Sequence, residues 1–348
     1  MSLYPIPHST APAIELSPAG SSRACKEINR WKLFWNAVRN YDIVHMYFGE
    51  SLLMPRRHPS LSSGRSLSAV ELLVRVYGRL VWGKDLPLLR SLGKRLAFSF
   101  LGDDVRLQKY TATAFEVSIA KYVSNGYYPE GSDRWKERII SLATRYGDAI
   151  FAYNPDLLIN LPDHAHFIPY SHIFPDALKP KVRPEENAPL RLAHAPTHAE
   201  GKGTQFILQA VQALRLQGLE FEFDLIENVP HQEAMSRILR ADLFVDQLLA
   251  GWYGGAAVEA MLAAVPVVAY IRDDDLCRIP QPMREELPIF SATPDTVSAV
   301  IGNLLRRGRE WLREHGRLSR AFAERYHDPA RVARQVAEAL HLTPYLSA

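Results

Sequence analysis

The chain is poor in cysteine, in net charge and in long apolar runs, and each shortage removes a class of protein. Its 348 residues hold two cysteines, Cys25 and Cys277, far apart and without metal-ligand spacing. That excludes a disulfide scaffold and a structural zinc site, and the pair reads as free thiols of a reducing compartment. No segment approaches the roughly eighteen uninterrupted apolar residues that cross a bilayer. The opening Met1-Ser2-Leu3-Tyr4-Pro5 lacks the charged-then-apolar build of a signal peptide, so a cytoplasmic protein is expected. Formal charge is only +3, which gives no global nucleic-acid signature, and no nucleic-acid partner is expected. Also missing are G-x-S-x-G and a G-x-G-x-x-G that follows a strand, so a serine-hydrolase elbow and the usual dinucleotide fingerprint are both out.

What is present is enough apolar material for two cores: 47% of residues are hydrophobic, and the length suggests two domains. Charge is uneven along the chain. Between residues 55 and 110, eleven Lys or Arg stand against four acids. Either this is a solvated helix face, or residues 55–95 meet an anionic membrane or a phosphorylated acceptor.

The first half predicts irregular chain over 1–25 with one short strand at 2–5, and a helix over 26–40. A strand at 42–48 and a basic loop at 55–66 follow. Helices are expected at 68–82 and 86–92, then a strand at 95–100. Residues 107–133, rich in Tyr, Ser and Gly, give no clear pattern. A helix at 134–146, a strand at 148–153, a short helix from Asn154 and a strand at 167–170 complete this half. Four prolines make 175–189 the clearest linker. After it, strands at 190–195, 221–225, 243–246 and 265–270 alternate with helices at 204–217, 231–240 and 254–263. Helices at 293–306, 309–325 and 329–341 end the chain. Such alternation means a parallel sheet covered on both faces, with ligands at the strands' carboxyl ends.

Those carboxyl ends carry the chemistry. Thr197-His198-Ala199-Glu200-Gly201-Lys202-Gly203-Thr204 follows a strand and opens a helix. It is not a P-loop, because Pro196 and Gly203 occupy positions where that motif needs Gly and Ser or Thr. Lys202 and the amides around Gly203 either hold a diphosphate or form a plain turn. Gly251-Trp252-Tyr253-Gly254-Gly255-Ala256 opens a second helix, whose amides and dipole favour an anion. Glu259 lies one turn inside it. Two such loops on one sheet suit a nucleoside diphosphate. Glu227 and Asn228 end another strand and either touch a nucleobase or cap a helix. Asp246 is expected to accept N–H groups of the Gly251–Gly255 loop. In the first half Asp103 and Asp104 are adjacent, so extended chain cannot aim both at one atom; either could bind a sugar hydroxyl or an acceptor. His45 reads as a satisfied buried histidine. The Asp273-Asp274-Asp275 run reads as a solvated acidic loop rather than a metal site.

These residues resemble the GT-B glycosyltransferases, within them the retaining family 4. The likeness is strongest over 190–328. His194-Ala195-Pro196-Thr197 with Lys202-Gly203-Thr204 is similar to that family's phosphate loop. Asp246-Gln247-Leu248 through Gly254-Gly255, then Val258-Glu259-Ala260-Met261 and Pro266-Val267-Val268, is similar to its donor motif. The resemblance implies an α/β fold with two Rossmann-like parallel-sheet domains facing a central cleft, the first apparently lacking its first strand. The domains implied are 1–175 on the acceptor side, 176–325 for the donor, and 326–348 as a C-terminal helix crossing back onto the first. The implied activity is retaining transfer of a sugar from a nucleotide-diphosphate sugar to a glycan, lipid-linked or small-molecule acceptor. No metal and no cofactor beyond that co-substrate are implied. Lys202, Glu259 and Asp103 would be catalytic. Thr197, Gly203, Thr204, Glu227, Asn228, Asp246, Tyr253, Gly254, Gly255 and Ala256 would bind the donor.

The chain also departs from that pattern. The family's motif pairs two glutamates eight positions apart, and the partner of Glu259 would be at Gly251. The usual phosphate-binding arginine would stand at Thr197, and the usual histidine of the first domain at Leu101. An alternative expectation follows: a weak or inactive homologue kept as a binding or regulatory partner.

Overall fold

A computed structural model describes residues 21–49, 51–53, 69–124, 126–178 and 188–342. The expected strand at 2–5 and the basic loop at 55–66 lie outside them. The chain divides into two compact units, and neither is a single run of sequence. The first takes residues up to 107 with 128–152 and 160–166; the second takes 108–127, 153–159 and everything from 167 onward. This differs from a cut at 175/176 with a separate 326–348 segment.

In chain order the first half holds α1 (Arg23–Asn40), β1 (Ile43–Tyr47), α2 (Ala69–Val81), α3 (Asp85–Ser91) and β2 (Arg95–Phe100). Then come α4 (Gln108–Ala114), α5 (Ile119–Tyr122), α6 (Ser132–Tyr146), β3 (Ala149–Ala152) and β4 (Ala165–Phe167). The Ser22 side chain starts α1 by accepting the Cys25 amide at 3.2 Å, which satisfies one of the orphan donors of a first helical turn. The strands are short apolar runs: every residue of β2 after Arg95 is buried, as is all of β3. Runs buried on both faces suit a parallel sheet, and the order here is β1-β2-β3-β4, with Val44 beside Leu96 and Phe98 beside Ile150 in parallel register. The last strand is Ala165–Phe167 rather than the expected 167–170; it stops before Pro169, which has no N–H to give to a ladder.

The second half holds β5 (Leu190–His194), α7 (Ala199–Lys202), α8 (Thr204–Leu216), β6 (Phe221–Leu225), α9 (His231–Ile238) and β7 (Leu243–Val245). There follow α10 (Gly255–Leu262), β8 (Val267–Ala269), α11 (Gln281–Glu285), β9 (Phe290–Ser291), α12 (Val297–Tyr326) and α13 (Pro329–Ala339). The sheet order is β6-β5-β7-β8-β9, all parallel. Side chains alternate between its faces with the strand period of two. Ala193, Phe244, Val267 and Ala269 pack in one core; Leu192, Leu243, Val245 and Val268 pack in the other. The α8 stripe Ile207, Ala210, Val211 and Leu214 covers the second core at helical spacing. The expected helices at 293–306 and 309–325 are both present within α12, two helical stretches separated at Gly308, whose φ of +83° and ψ of 171° are not helical.

Five elements in three stretches have no counterpart in the sequence pattern: α7, α11 with β9, and the α4–α5 pair inside 107–133. The last two helices belong to the second unit. Phe115 stacks on the Arg272 guanidinium at 3.6 Å, and the Val117 carbonyl accepts from it at 3.1 Å. The Tyr122 ring meets Phe206 edge-on. The Ser124 amide donates to Glu200, and the Tyr127 ring meets His198 edge-on.

Candidate functional site in the second unit

Strand register puts four loops at one edge of the second sheet. His194 lies level with Leu225 of β6 and with Val245 of β7, and Val245 is level with Val268 of β8. The chain therefore leaves β5, β6, β7 and β8 on the same side, carrying residues 195–203, 226–230, 246–254 and 270–272.

His194 fixes the base of this edge. Its Nδ1 is 2.8 Å from the Val245 carbonyl and its Nε2 is 2.9 Å from Thr204 Oγ1. A carbonyl only accepts, so Nδ1 carries the hydrogen and Nε2 accepts the Thr204 hydroxyl. Burial pushes the ring down to about 4, so it stays neutral. This corrects one expectation: Thr204 is buried and its hydroxyl proton is already given to His194, so it does not face a phosphate.

Lys202 ends α7 rather than lying in the loop that opens a helix; Gly203, in left-handed conformation at φ +77°, lets the chain stop and restart as α8. From there Nζ reaches Asp246 Oδ1 at 2.8 Å. The other oxygen of Asp246 accepts the Gly254 amide at 2.6 Å. The Leu248 amide closes the ring by donating to the Lys202 carbonyl at 3.1 Å. Asp246 is 1% exposed, so its charge depends on these partners. The two glycine-bearing loops are thus tied through one carboxylate. Of the amides expected to face an anion, that of Gly254 is already used. Those of Gly255 and Ala256, in the first turn of α10, have no acceptor within the helix.

Glu259 sits on the next turn of α10, and its Oε1 is 2.7 Å from His231 Nε2 and 3.2 Å from His172 Nε2. Burial alone would raise its carboxyl, but the hydrogen bonds from the two rings outweigh it and hold the group below the usual range. Glu227 is half-buried and Asn228 exposed on the β6 loop, at φ +55°, and Thr197 is exposed.

Tyr253 is a second correction. It is wholly buried, and its hydroxyl is 3.0 Å from His327 Nε2, whose Nδ1 faces the Tyr170 carbonyl at 2.7 Å. The phenol therefore donates to His327 and belongs to the core, not to a ligand surface. Asp275 is a third: it is no solvated acid. It is fully buried in a 3-10 turn and pairs with Arg272 at 2.7 Å and Arg278 at 3.1 Å. Arg272 in turn fills the space beside Gly251. A side chain at 251 would start 2.5 Å from its guanidinium carbon.

Asp103 stands in the first unit and accepts from Arg106 at 2.9 Å and from the Tyr128 hydroxyl at 3.1 Å. Asp104 turns the other way and caps its own loop through the Leu101 and Gly102 amides. Burial raises its carboxyl in spite of those bonds. His45, at 2.8 Å from Ser99 Oγ, is lowered to about 4 by burial. Among the described residues no three His, Cys, Asp or Glu converge as metal ligands, and no helix is long and apolar enough to cross a membrane. His172, His231 and Arg272 were not legible as site residues. His231 opens a helix near Glu227, but nothing in the chain links His172 to Glu259 before folding.

No family model and no curated protein matches this sequence. Solved structures do. The sucrose-phosphate synthase of Thermosynechococcus elongatus superposes with a TM-score of 0.56 at 14% identity, over 96% of this chain and 84% of that one. HepE of Anabaena, solved with UDP and with UDP-glucose, gives 0.52 and 0.53 at 14% and 13% identity, over 90% of this chain and 82% of that one. A glycosyltransferase of Rickettsia africae gives 0.51 at 11%, over 94% and 84%. Two parallel α/β sheets shared with proteins of this kind are the GT-B fold, and this chain has it.

Proposed function

We propose that the chain is a glycosyltransferase that takes its sugar from a nucleoside-diphosphate donor. The observation that carries this reading is the Lys202–Asp246–Gly254 tie, with Glu259 one turn further along the same helix. It joins a cation, helix-start amides and a carboxylate at one sheet edge. In the reaction the bond from the sugar's anomeric carbon to the diphosphate oxygen breaks, and an acceptor hydroxyl oxygen bonds to that carbon and loses its proton. The charge grows on the departing diphosphate, where Lys202 and the amides of Gly255 and Ala256 lie ready to hold it; such preorganised stabilisation needs no reorganisation during the step. Glu259 holds the ribose hydroxyls. Retention at the anomeric carbon and independence from metal belong to this reading, as does Asp103 facing the sugar or acceptor.

Thermal shifts with UDP, GDP, ADP, dTDP and CMP test it. One nucleotide should raise Tm, since a ligand that binds only the folded chain stabilises it by mass action. Lys202→Ala should lower that nucleotide's affinity roughly 100-fold, the scale of a lost charge-assisted contact, and remove turnover. Because this variant leaves buried Asp246 short of a partner, each shift is read against the variant's own baseline. Binding and turnover unchanged in Lys202→Ala would sink the reading.

A second reading, a chain that binds a nucleotide sugar without transferring it, is favoured by the Arg272 guanidinium in the space beside Gly251. Nucleotide binding with no transfer and no donor hydrolysis would select it.

A membrane-borne acceptor is supported by α2. Leu72, Leu73, Val76 and Leu80 are 48–68% exposed and form one stripe at helical spacing, with Arg79 beside them. Residues 54–68 of the basic stretch lie outside the described residues. Sedimentation with phosphatidylserine vesicles should carry the protein down at low salt, and Leu73→Glu with Leu80→Glu should release it. Sedimentation unaffected by anionic lipid, salt or these changes would remove the membrane from the account.

A further inference from the structure

Glu259 shares one oxygen between two rings that come from different places in the chain. His172 follows β4 and the irregular segment after it, while His231 is the first residue of α9. An ionised carboxylate only accepts, so both rings carry hydrogen on Nε2. His172 does more than touch Glu259. Its Cε1 lies 3.1 Å from the point where a side chain at Gly255 would begin, so the ring spans from the carboxylate to the residue that opens α10. Its side chain is 42% exposed, within reach of a ligand and of protons.

We propose that His172 is a donor-binding residue, and that its imidazolium supplies the second positive charge for the diphosphate that Thr197 does not provide. This rests on the donor-site reading above. The groups around the ring decide its behaviour. Glu259 faces it from α10, and His231 from α9 meets the same carboxylate oxygen. His327, at the end of α12, is lowered to about 4 by burial and stays neutral. Lys202 and Asp246 converge on the neighbouring Gly254. A diphosphate bound beside Gly255 would bring negative charge next to the ring. Binding therefore draws a proton onto His172. Histidine is the side chain that changes charge in the range where cells work, so nucleotide affinity carries a pH dependence set by this ring.

Isothermal titration with UDP, GDP and ADP at about pH 6 and about pH 8.5 tests this on the wild type, His172→Gln, His231→Gln and Lys202→Ala. Glutamine keeps an N–H for Glu259 but takes no charge. His172→Gln should bind about tenfold more weakly than wild type at the lower pH, the scale of one charge-assisted contact, and about equally at the higher. His231→Gln should keep the wild-type pH dependence. If His172→Gln tracks the wild type at both pH values while Lys202→Ala loses binding, the role of His172 is overturned and the donor site stands. If no nucleotide binds the wild type, or Lys202→Ala binds as well as wild type, the donor site falls and His172 with it.

Discussion

Glutamate placed at position 251, where the resembled family carries one, should cost this chain about 3 kcal/mol of stability. Two independent causes add. Gly251 has φ +79°, a left-handed conformation that penalises any side chain by about 1–2 kcal/mol. The first side-chain atom would also lie 2.5–2.7 Å from three atoms of the Arg272 guanidinium. That group has little room to retreat. It is 6% exposed, stacked on Phe115, bonded to the Val117 carbonyl and paired with buried Asp275. Urea unfolding of Gly251→Glu and Gly251→Ala at unchanged m-value reads the loss. A change below about 0.5 kcal/mol, the range of an ordinary surface substitution, would contradict the account. In a double-mutant cycle Arg272→Ala should relieve part of the penalty at 251, since it removes the atoms in the way.

Acid should be the other strong lever on stability. His194 and His327 are each buried, each give Nδ1–H to a carbonyl and each accept a hydroxyl at Nε2. Burial holds both at about 4. In the unfolded chain they return to about 6.5. Between those values the unfolded state binds more protons than the folded one, so stability rises with pH across that window. It is fully present above about pH 6.5 and is lost as pH falls through 4. The upper bound is about 3.5 kcal/mol per ring at roughly 1.4 kcal/mol per pKa unit, and both rings lie in the second unit. Comparing wild type with His327→Asn isolates one ring, because asparagine can still donate to the Tyr170 carbonyl but does not titrate. The variant should be less stable at pH 7 and should lose less on going to about pH 4. Parallel pH profiles would refute the assignment.

The second sheet was legible because its strands are short apolar runs bounded by turn residues, and because each is followed by a helix with its own stripe. The loops at its edge were legible for a related reason. Asp246 stands where a strand has just ended, Lys202 and Gly254 lie on the connections that follow strands, and Glu259 is a fixed helical offset from Gly254. Other features depend on what folding brings together. The helices inside 107–133 are short, of seven and four residues, and the partners of this segment, Arg272, Glu200 and Phe206, lie about 80 to 155 residues away in sequence. Thr204 and Tyr253 looked available because a sequence names a hydroxyl without saying who already holds it. Asp275 looked solvated because its arginine partners sit three residues to either side and pair with it only once the 3-10 turn has formed.

The docking of residues 108–127 on the second unit bears on how a gene for such a chain can be cut and rejoined. The proline-rich stretch near 180 looks like a seam, and a recombination event there would exchange everything after it. The recipient half would then arrive without Phe115 and Val117 for Arg272, without the Ser124 amide for Glu200, and without Tyr127 against Gly201, where a side chain would start 2.7 Å from the phenol oxygen. A chimaera joined near 180 would inherit α7 with a foreign cover. One that carries 108–127 along with the second half would keep it. Halves drawn from distant relatives should therefore combine only when residues 108–127 travel with the second unit to which they belong.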